Sequence, residues 1–261
     1  MAAFAANSVL ARLALRTTDI DAALFTAVRI GAGAAVLAVV ARRGRIGGSW
    51  ASAAALFVYA AAFSFAYLSL AVGTGALVLF GAVQVTMIGT GVARGERLGA
   101  LQTGGLALAF GGLVGLVAPG VEAPPLGAAL LMAASGAAWG VYSLRGRGAE
   151  APVAASAGNF LRAVPLALGL ALAAALRGGL RPDGLGLGYA VLSGAVTSGL
   201  GYVAWYAVLP SLRASSAATV QLSVPVLAAL GGVAVLAEPV TPRLALASLA
   251  TLGGIALVVR R

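Results

Sequence analysis

Ten apolar runs separated by short polar breaks take up most of the 261 residues. They fall near Ala2 to Leu15, Ala22 to Ala41, Trp50 to Leu70, Thr74 to Ala93, Leu98 to Ala118, Pro125 to Leu144, Pro152 to Leu176, Leu185 to Leu209, Ala214 to Ala237 and Leu244 to Val259. A bilayer core about 30 Å thick needs roughly 20 apolar residues per helix, and most of the runs have that length. Inside such a solvent, only helices and closed barrels satisfy every backbone N–H and C=O. The runs therefore predict an all-α membrane protein with ten transmembrane helices. With 61% hydrophobic and 9% charged residues, the chain lies far from a water-soluble composition. Its 37 glycines suit helices that pack closely in a membrane. The first run is short, cut by Met1 at one end and by Arg12 and Arg16 at the other. Met1 to Leu15 also lacks the charged start of a cleavable signal peptide and leads directly into further spans.

The second constraint is a segment written twice. Glu96 in GlyGluArgLeu and Glu238 in AlaGluProVal each precede an apolar run that reaches a GlyGly pair, Gly111-Gly112 and Gly253-Gly254. Glu96 with Glu238, Gly112 with Gly254, Ala76 with Ala218 and Val78 with Val220 all stand 142 residues apart. Duplication inside a membrane chain is a signature of transporters more than of enzymes. It divides the chain into residues 1–120 and 121–261. With the amino terminus in the cytoplasm, that side receives Arg42, Arg43, Arg45, Arg94, Arg97, Arg145, Arg147, Arg213, Arg260 and Arg261. The other side receives Arg16, Arg177, Arg181 and Arg243. Ten against four supports both termini in the cytoplasm, and the expected location is a bacterial inner membrane. Because each half has five spans, an odd number, the second is inverted relative to the first. Two inverted halves can open a shared cavity to each side in turn.

Composition also removes whole classes of function. There is no cysteine and no histidine, which leaves no thiolate or imidazole chemistry and little means of holding a transition metal. All basic residues are arginine, and they lie in short clusters between apolar runs instead of forming one basic face, so nucleic acid is not an expected partner. Phosphoryl or prenyl transfer would want acidic metal-binding clusters, and there is no glycine-rich loop ending in lysine. No enzyme activity, cofactor or metal is expected. The expected partners are a small-molecule substrate and the lipid bilayer, with the protein a monomer or homodimer. A non-transporting accessory subunit is the alternative.

Several short motifs resemble one family. They are AsnSerValLeuAlaArg at Asn7 to Arg12, Glu96-Arg97-Leu98 and Glu238-Pro239 with their GlyGly-containing helices, TrpGlyValTyrSer at Trp139 to Ser143, and Gln221-Leu222-Ser223-Val224-Pro225. In order and spacing the chain resembles, over essentially its whole length, the EamA-type ten-helix carriers of the drug/metabolite transporter superfamily. That resemblance implies export or exchange of small metabolites, such as amino acids, and of drug-like compounds. Members of that family usually carry several more residues, often with a Trp, ahead of the Asn.

Polar groups inside spans are costly and so are candidates for function. Arg29 and Arg162 lie in the second and seventh runs, in the matching stretches ThrAlaValArg and AsnPheLeuArg. Each either binds an anionic group of the substrate by paired hydrogen bonds, or satisfies carbonyls at a helix break or snorkels to the interface. Phe63, Phe65 and Tyr67, then Trp139 and Tyr142, then Tyr202, Trp205 and Tyr206 form aromatic clusters. These suit either a cavity wall or the interfacial belt, with Tyr202 placed in the cavity and Trp205 and Tyr206 in the belt. Asn7, Ser64, Gln84, Thr86, Asn159, Gln221 and Ser223 are uncharged polar residues within spans. Of these, Asn7, Ser64, Gln84, Asn159 and Gln221 join Arg29, Tyr67, Trp139, Tyr142, Arg162 and Tyr202 as the candidate cavity lining. Pro225 would free a backbone carbonyl and serve as a kink or gate, or as a static bend. Glu96 and Glu238 sit at turns, near the amino end of the next helix, where a negative charge is favoured. The remaining acids, Asp19, Asp21, Glu122, Glu150 and Asp183, are all expected in loops.

Overall fold

Short polar residues start the helices. Asp21 accepts hydrogen bonds from the N–H groups of Ala23 and Leu24, both at 2.9 Å, Ser49 accepts from Ser52 at 3.2 Å, and Asp183 accepts from Gly186 at 2.7 Å. Each supplies an acceptor that the first helical turn lacks. The computed structural model describes residues 1–41, 46–95, 97–120, 122–146, 149–208 and 220–259. Among them are ten helices and no strand: α1 Ala2–Thr17, α2 Ala22–Val40, α3 Trp50–Tyr67, α4 Val72–Ala93, α5 Ala100–Val117, α6 Leu126–Gly146, α7 Pro152–Leu176, α8, α9 Ser223–Leu236 and α10 Pro242–Val259. Helix α8 is continuous through Gly184–Leu192, a π-helical stretch Ser193–Leu200, and Gly201–Val208. Glu96, Arg42, Arg43, Arg45, Arg147, Arg213, Arg260 and Arg261, all used in the sequence argument, lie outside the described residues, as does the side chain of Tyr206.

Eight of these helices are long and apolar enough to cross a membrane, and α9 is a shorter apolar helix. Their outer faces carry large apolar side chains with nothing to cover them, such as Leu176 at 81% and Leu249 at 73% exposure. Such a surface needs lipid as its solvent, and the protein is an integral membrane protein. Helix α5 packs on α10, α2 on α7, α3 on α6 and α7, α4 on α6 and α9, and α1 on α8 and α9. Without a hydrophobic drive between helices, close backbone approach supplies the attraction, and glycine provides it. A Cβ on Gly105 would meet the Gly254 carbonyl at 2.6 Å, and one on Gly112 would meet Thr251 Oγ1 at 2.6 Å. At Gly136 and Gly194 a Cβ would collide with the carbonyls of Leu79 and Arg29 respectively.

One end of the bundle is tied by a polar cluster. Glu238, in the α9–α10 connection and 7% exposed, accepts from Arg12 Nε at 3.1 Å and from the Val72 N–H at 2.7 Å. Arg16 stands 3.8 Å from the same carboxylate. Arg12 Nη1 also donates to the carbonyls of Tyr67 and Leu68 at 2.8 and 2.9 Å. Glu238 thus works at a helix amino end, as its sequence position suggested. The helix is α4, though, not the following α10. Four parts of the chain meet there: α1, the end of α3, the start of α4 and the α9–α10 turn.

Removing one partner of a buried ion pair leaves the other charge uncompensated and costs about 3 kcal/mol. Glu238→Ala is expected to lose about that much stability in detergent unfolding. Glu238→Gln, which removes the charge but keeps an acceptor for Val72, should lose most of that stability too, and a Glu238→Gln variant as stable as wild type would count against the ion pair.

Candidate functional site

Arg29 is the eighth of the nineteen residues of α2, which puts its guanidinium near mid-membrane, and it is 2% exposed. Nη2 donates to the Tyr59 hydroxyl at 2.9 Å. The guanidinium carbon lies 5.1 Å from the Tyr59 ring centre and 4.6 Å from that of Phe63. These are cation–π distances. Nη1 is buried and, among the described residues, has no hydrogen-bond partner. Among the described residues no carboxylate pairs with Arg29, and the ion pairs all belong to Glu238.

Tyr59 joins Arg29 to a wider network. Its hydroxyl also accepts from Asn7 Nδ2 at 3.4 Å. Asn7 Oδ1 accepts from Ser193 Oγ at 2.6 Å and from Thr197 Oγ1 at 3.1 Å, both in the π-helical stretch of α8. The chain Arg29–Tyr59–Asn7–Ser193 therefore links α2, α3, α1 and α8 through buried groups. The π-helical stretch is the kind of irregularity that recurs at functional sites. Gly194 lets α8 lie against the backbone of Arg29.

An aromatic wall adjoins this network. Trp139, half-buried on α6, has ring centres of Tyr59 at 4.9 Å, Tyr202 at 5.3 Å, Tyr142 at 5.4 Å and Phe4 at 6.4 Å around it. Tyr202 also meets Phe160 at 5.7 Å. Trp205, assigned to the interfacial belt on sequence, reaches Phe4 at 6.4 Å and so adjoins the wall.

The other expected residues are distributed around this centre. Asn159 accepts from the Ser49 N–H at 2.8 Å and donates to the Tyr142 hydroxyl at 3.5 Å, which lies toward the α2–α3 loop. Arg162 also faces that loop, and its Nη1 donates to the carbonyls of Gly47 at 2.8 Å and Gly158 at 2.9 Å. Of the two readings of Arg162, these are the carbonyl contacts. Ser64 accepts from Thr26 at 2.8 Å and ties α3 to α2. Tyr67 is fully buried beside Phe63, with ring centres 4.7 Å apart, at the Glu238 end. Gln84 is buried on α4, and Gln221 is half-buried just before α9. Helix α9 begins at Ser223, so Pro225 occupies its first turn. There a missing N–H costs little.

Sequence reasoning missed Tyr59, Phe4, Ser193 and Thr197. For Tyr59 a signal existed: Tyr59, Phe63 and Tyr67 recur every four residues and share a helix face. Phe65, grouped with Phe63 and Tyr67 on sequence, is instead 36% exposed.

Ten helices, eight of them long and apolar enough to span a bilayer, around a buried cation and an aromatic wall define a polytopic membrane protein with an internal polar site. Residues 126–260 match the EamA-like transporter family, and the chain belongs to that family, within the drug/metabolite transporter superfamily. An uncharacterized protein of Pseudomonas aeruginosa, PA1977, is 59% identical over 249 residues, covering 94% of this chain and 86% of that one. A crystal structure of a protein superposes on 98% of this chain and 96% of its own, with a TM-score of 0.66 at 24% identity, a likeness of fold.

Tyr59→Phe would leave the Arg29 and Asn7 donors without their shared acceptor. Unsatisfied buried donors cost about 1–3 kcal/mol, and the variant is expected to unfold at lower temperature by a corresponding amount. A neutral Tyr59→Phe would show that the network contributes nothing to the fold.

Proposed function

We propose that the protein is a secondary transporter, an exporter or exchanger, that carries small amphiphilic carboxylates, amino acids among them, across a bacterial inner membrane by alternating access. The observation that carries this reading is the buried Nη1 of Arg29, which has no acceptor among the described residues. A guanidinium cannot release its proton in a protein. A solute carboxylate would supply the missing acceptor and the missing charge together, in the bidentate geometry that arginine favours. Trp139, Tyr142 and Tyr202 offer flat apolar surface for the rest of such a solute. Asn7 holds Tyr59 in place, and Asn159, Gln84 and Gln221 add polar groups to the cavity. Ser64 and Tyr67 brace α3, Arg162 fastens the α2–α3 loop, and Pro225 marks a pivot at the head of α9.

In this reading residues 1–120 and 121–261 are inverted five-helix halves. The helix pairing supports it. Exchanging each helix for the one five positions on turns α3–α6 into α8–α1, α4–α6 into α9–α1 and α3–α7 into α8–α2, and all of these pairs pack together. The pairs α2–α7, α4–α9 and α5–α10 map onto themselves. With both termini cytoplasmic, the Glu238 cluster lies at the periplasmic end, where opening requires Arg12 to part from Glu238. The partners are the solute and the bilayer, the protein acts as a monomer or homodimer, and neither nucleic acid, metal nor cofactor takes part.

The test is uptake by proteoliposomes of purified protein across a panel of amino acids and other carboxylates. Wild type should transport a subset. A charged hydrogen bond contributes about 1.5–3 kcal/mol, so Arg29→Ala should reduce that uptake at least about tenfold, with Arg29→Lys in between. A folded wild-type protein that moves no solute would favour a non-transporting accessory role. Undiminished uptake by Arg29→Ala would remove Arg29 from the site.

A further inference from the structure

We infer that the outer groove between α5 and α10 binds an anionic phospholipid, with an acyl chain along the groove and the phosphate on Arg243. The open groove has a volume of about 690 Å³ and runs from Ala107 to Gly115 on α5 and from Arg243 to Ala250 on α10. At 1.5 Å per residue its length is about 12 Å, close to the roughly 15 Å of hydrocarbon in one leaflet.

Its glycines face two ways. Gly112 is pressed against Thr251, but a Cβ on Gly111 or Gly115 would meet nothing within 4 Å. A glycine inside a helix costs about 1 kcal/mol relative to alanine, and no helix contact offsets that cost at these two positions. Their effect is to leave the groove open between exposed apolar walls such as Leu108 and Leu246. The volume lies within the usual range of small-molecule sites.

Arg243 closes the groove at the level of the loops. Nη1 donates to the carbonyls of Leu116 and Ala118 at 3.3 and 2.6 Å, at the carboxyl end of α5. That fixes the side chain beside the groove mouth and uses one of its three nitrogens. Among the described residues, Nε and Nη2 make no hydrogen bond and no carboxylate lies within ion-pair distance. A cation held at the hydrocarbon boundary above an acyl-sized groove is complementary to a phosphate on a lipid chain. A second copy of the chain would fill the apolar groove but would bring no evident anion to Arg243.

The experiment is native mass spectrometry of the intact protein released from bilayers containing equal phosphatidylglycerol and phosphatidylcholine. Wild type should retain one phosphatidylglycerol with about fivefold preference, as expected for one arginine near the surface. Arg243→Ala should abolish the preference. Gly111→Phe, which fills the groove without touching the α5–α10 contact or Arg243, should remove the bound lipid while leaving the protein folded. Equal retention of both lipids by wild type, or unchanged phosphatidylglycerol binding in Gly111→Phe, would overturn the proposal. So would a lipid-independent dimer lost in Gly111→Phe, which would assign the groove to a second copy.

Discussion

A guanidinium that cannot lose its proton, buried where no carboxylate among the described residues compensates it, constrains the arrangement around it. Arg29 is held by one hydrogen bond and two aromatic faces, and that is a weak exchange for full hydration. The surrounding polar groups are arranged to make burial tolerable. Tyr59 accepts from Arg29, Asn7 holds Tyr59, and Ser193 and Thr197 hold Asn7. One demand at mid-membrane therefore fixes the relative positions of four helices.

The scaffold meets that demand with small residues. Gly194 brings α8 against the Arg29 backbone, and Gly136 brings α6 against α4. The Glu238 cluster holds the end of the bundle by a different means, a desolvated ion pair that also caps α4. Packing through glycine is tight without being chemically sticky, whereas the ion pair can break and reform as a unit. In an alternating-access reading, the first suits the moving halves and the second suits a gate.

Much of the fold was legible because a bilayer imposes a length on every span. The ten apolar runs match the ten helices to within a few residues, apart from α9, which starts at Ser223 where the run starts at Ala214; residues 209–219 lie outside the described part. The central cation was legible because charge inside a span is rare. Its separation from Arg162 was not, since a ligand-binding arginine and one that binds carbonyls look alike in sequence. The Gly47 carbonyl that engages Arg162 is 115 residues away. Glu238 shows the same limit. Its turn was visible, but its partners Val72 and Arg12 are 166 and 226 residues distant. The π-helical stretch of α8 left no signal in the periodicity.

The central claim is that Arg29 is a receptor for a carboxylate. It is tested most directly by thermal stabilisation of purified protein with acid and methyl-ester pairs of the same solutes. A ligand that binds only the folded state at a hundred times its dissociation constant stabilises by about 2.7 kcal/mol. The account predicts that the acids raise the unfolding temperature of wild type, that their esters do not, and that the difference disappears in Arg29→Ala. Equal stabilisation by acid and ester, or an acid effect that survives in Arg29→Ala, would contradict it.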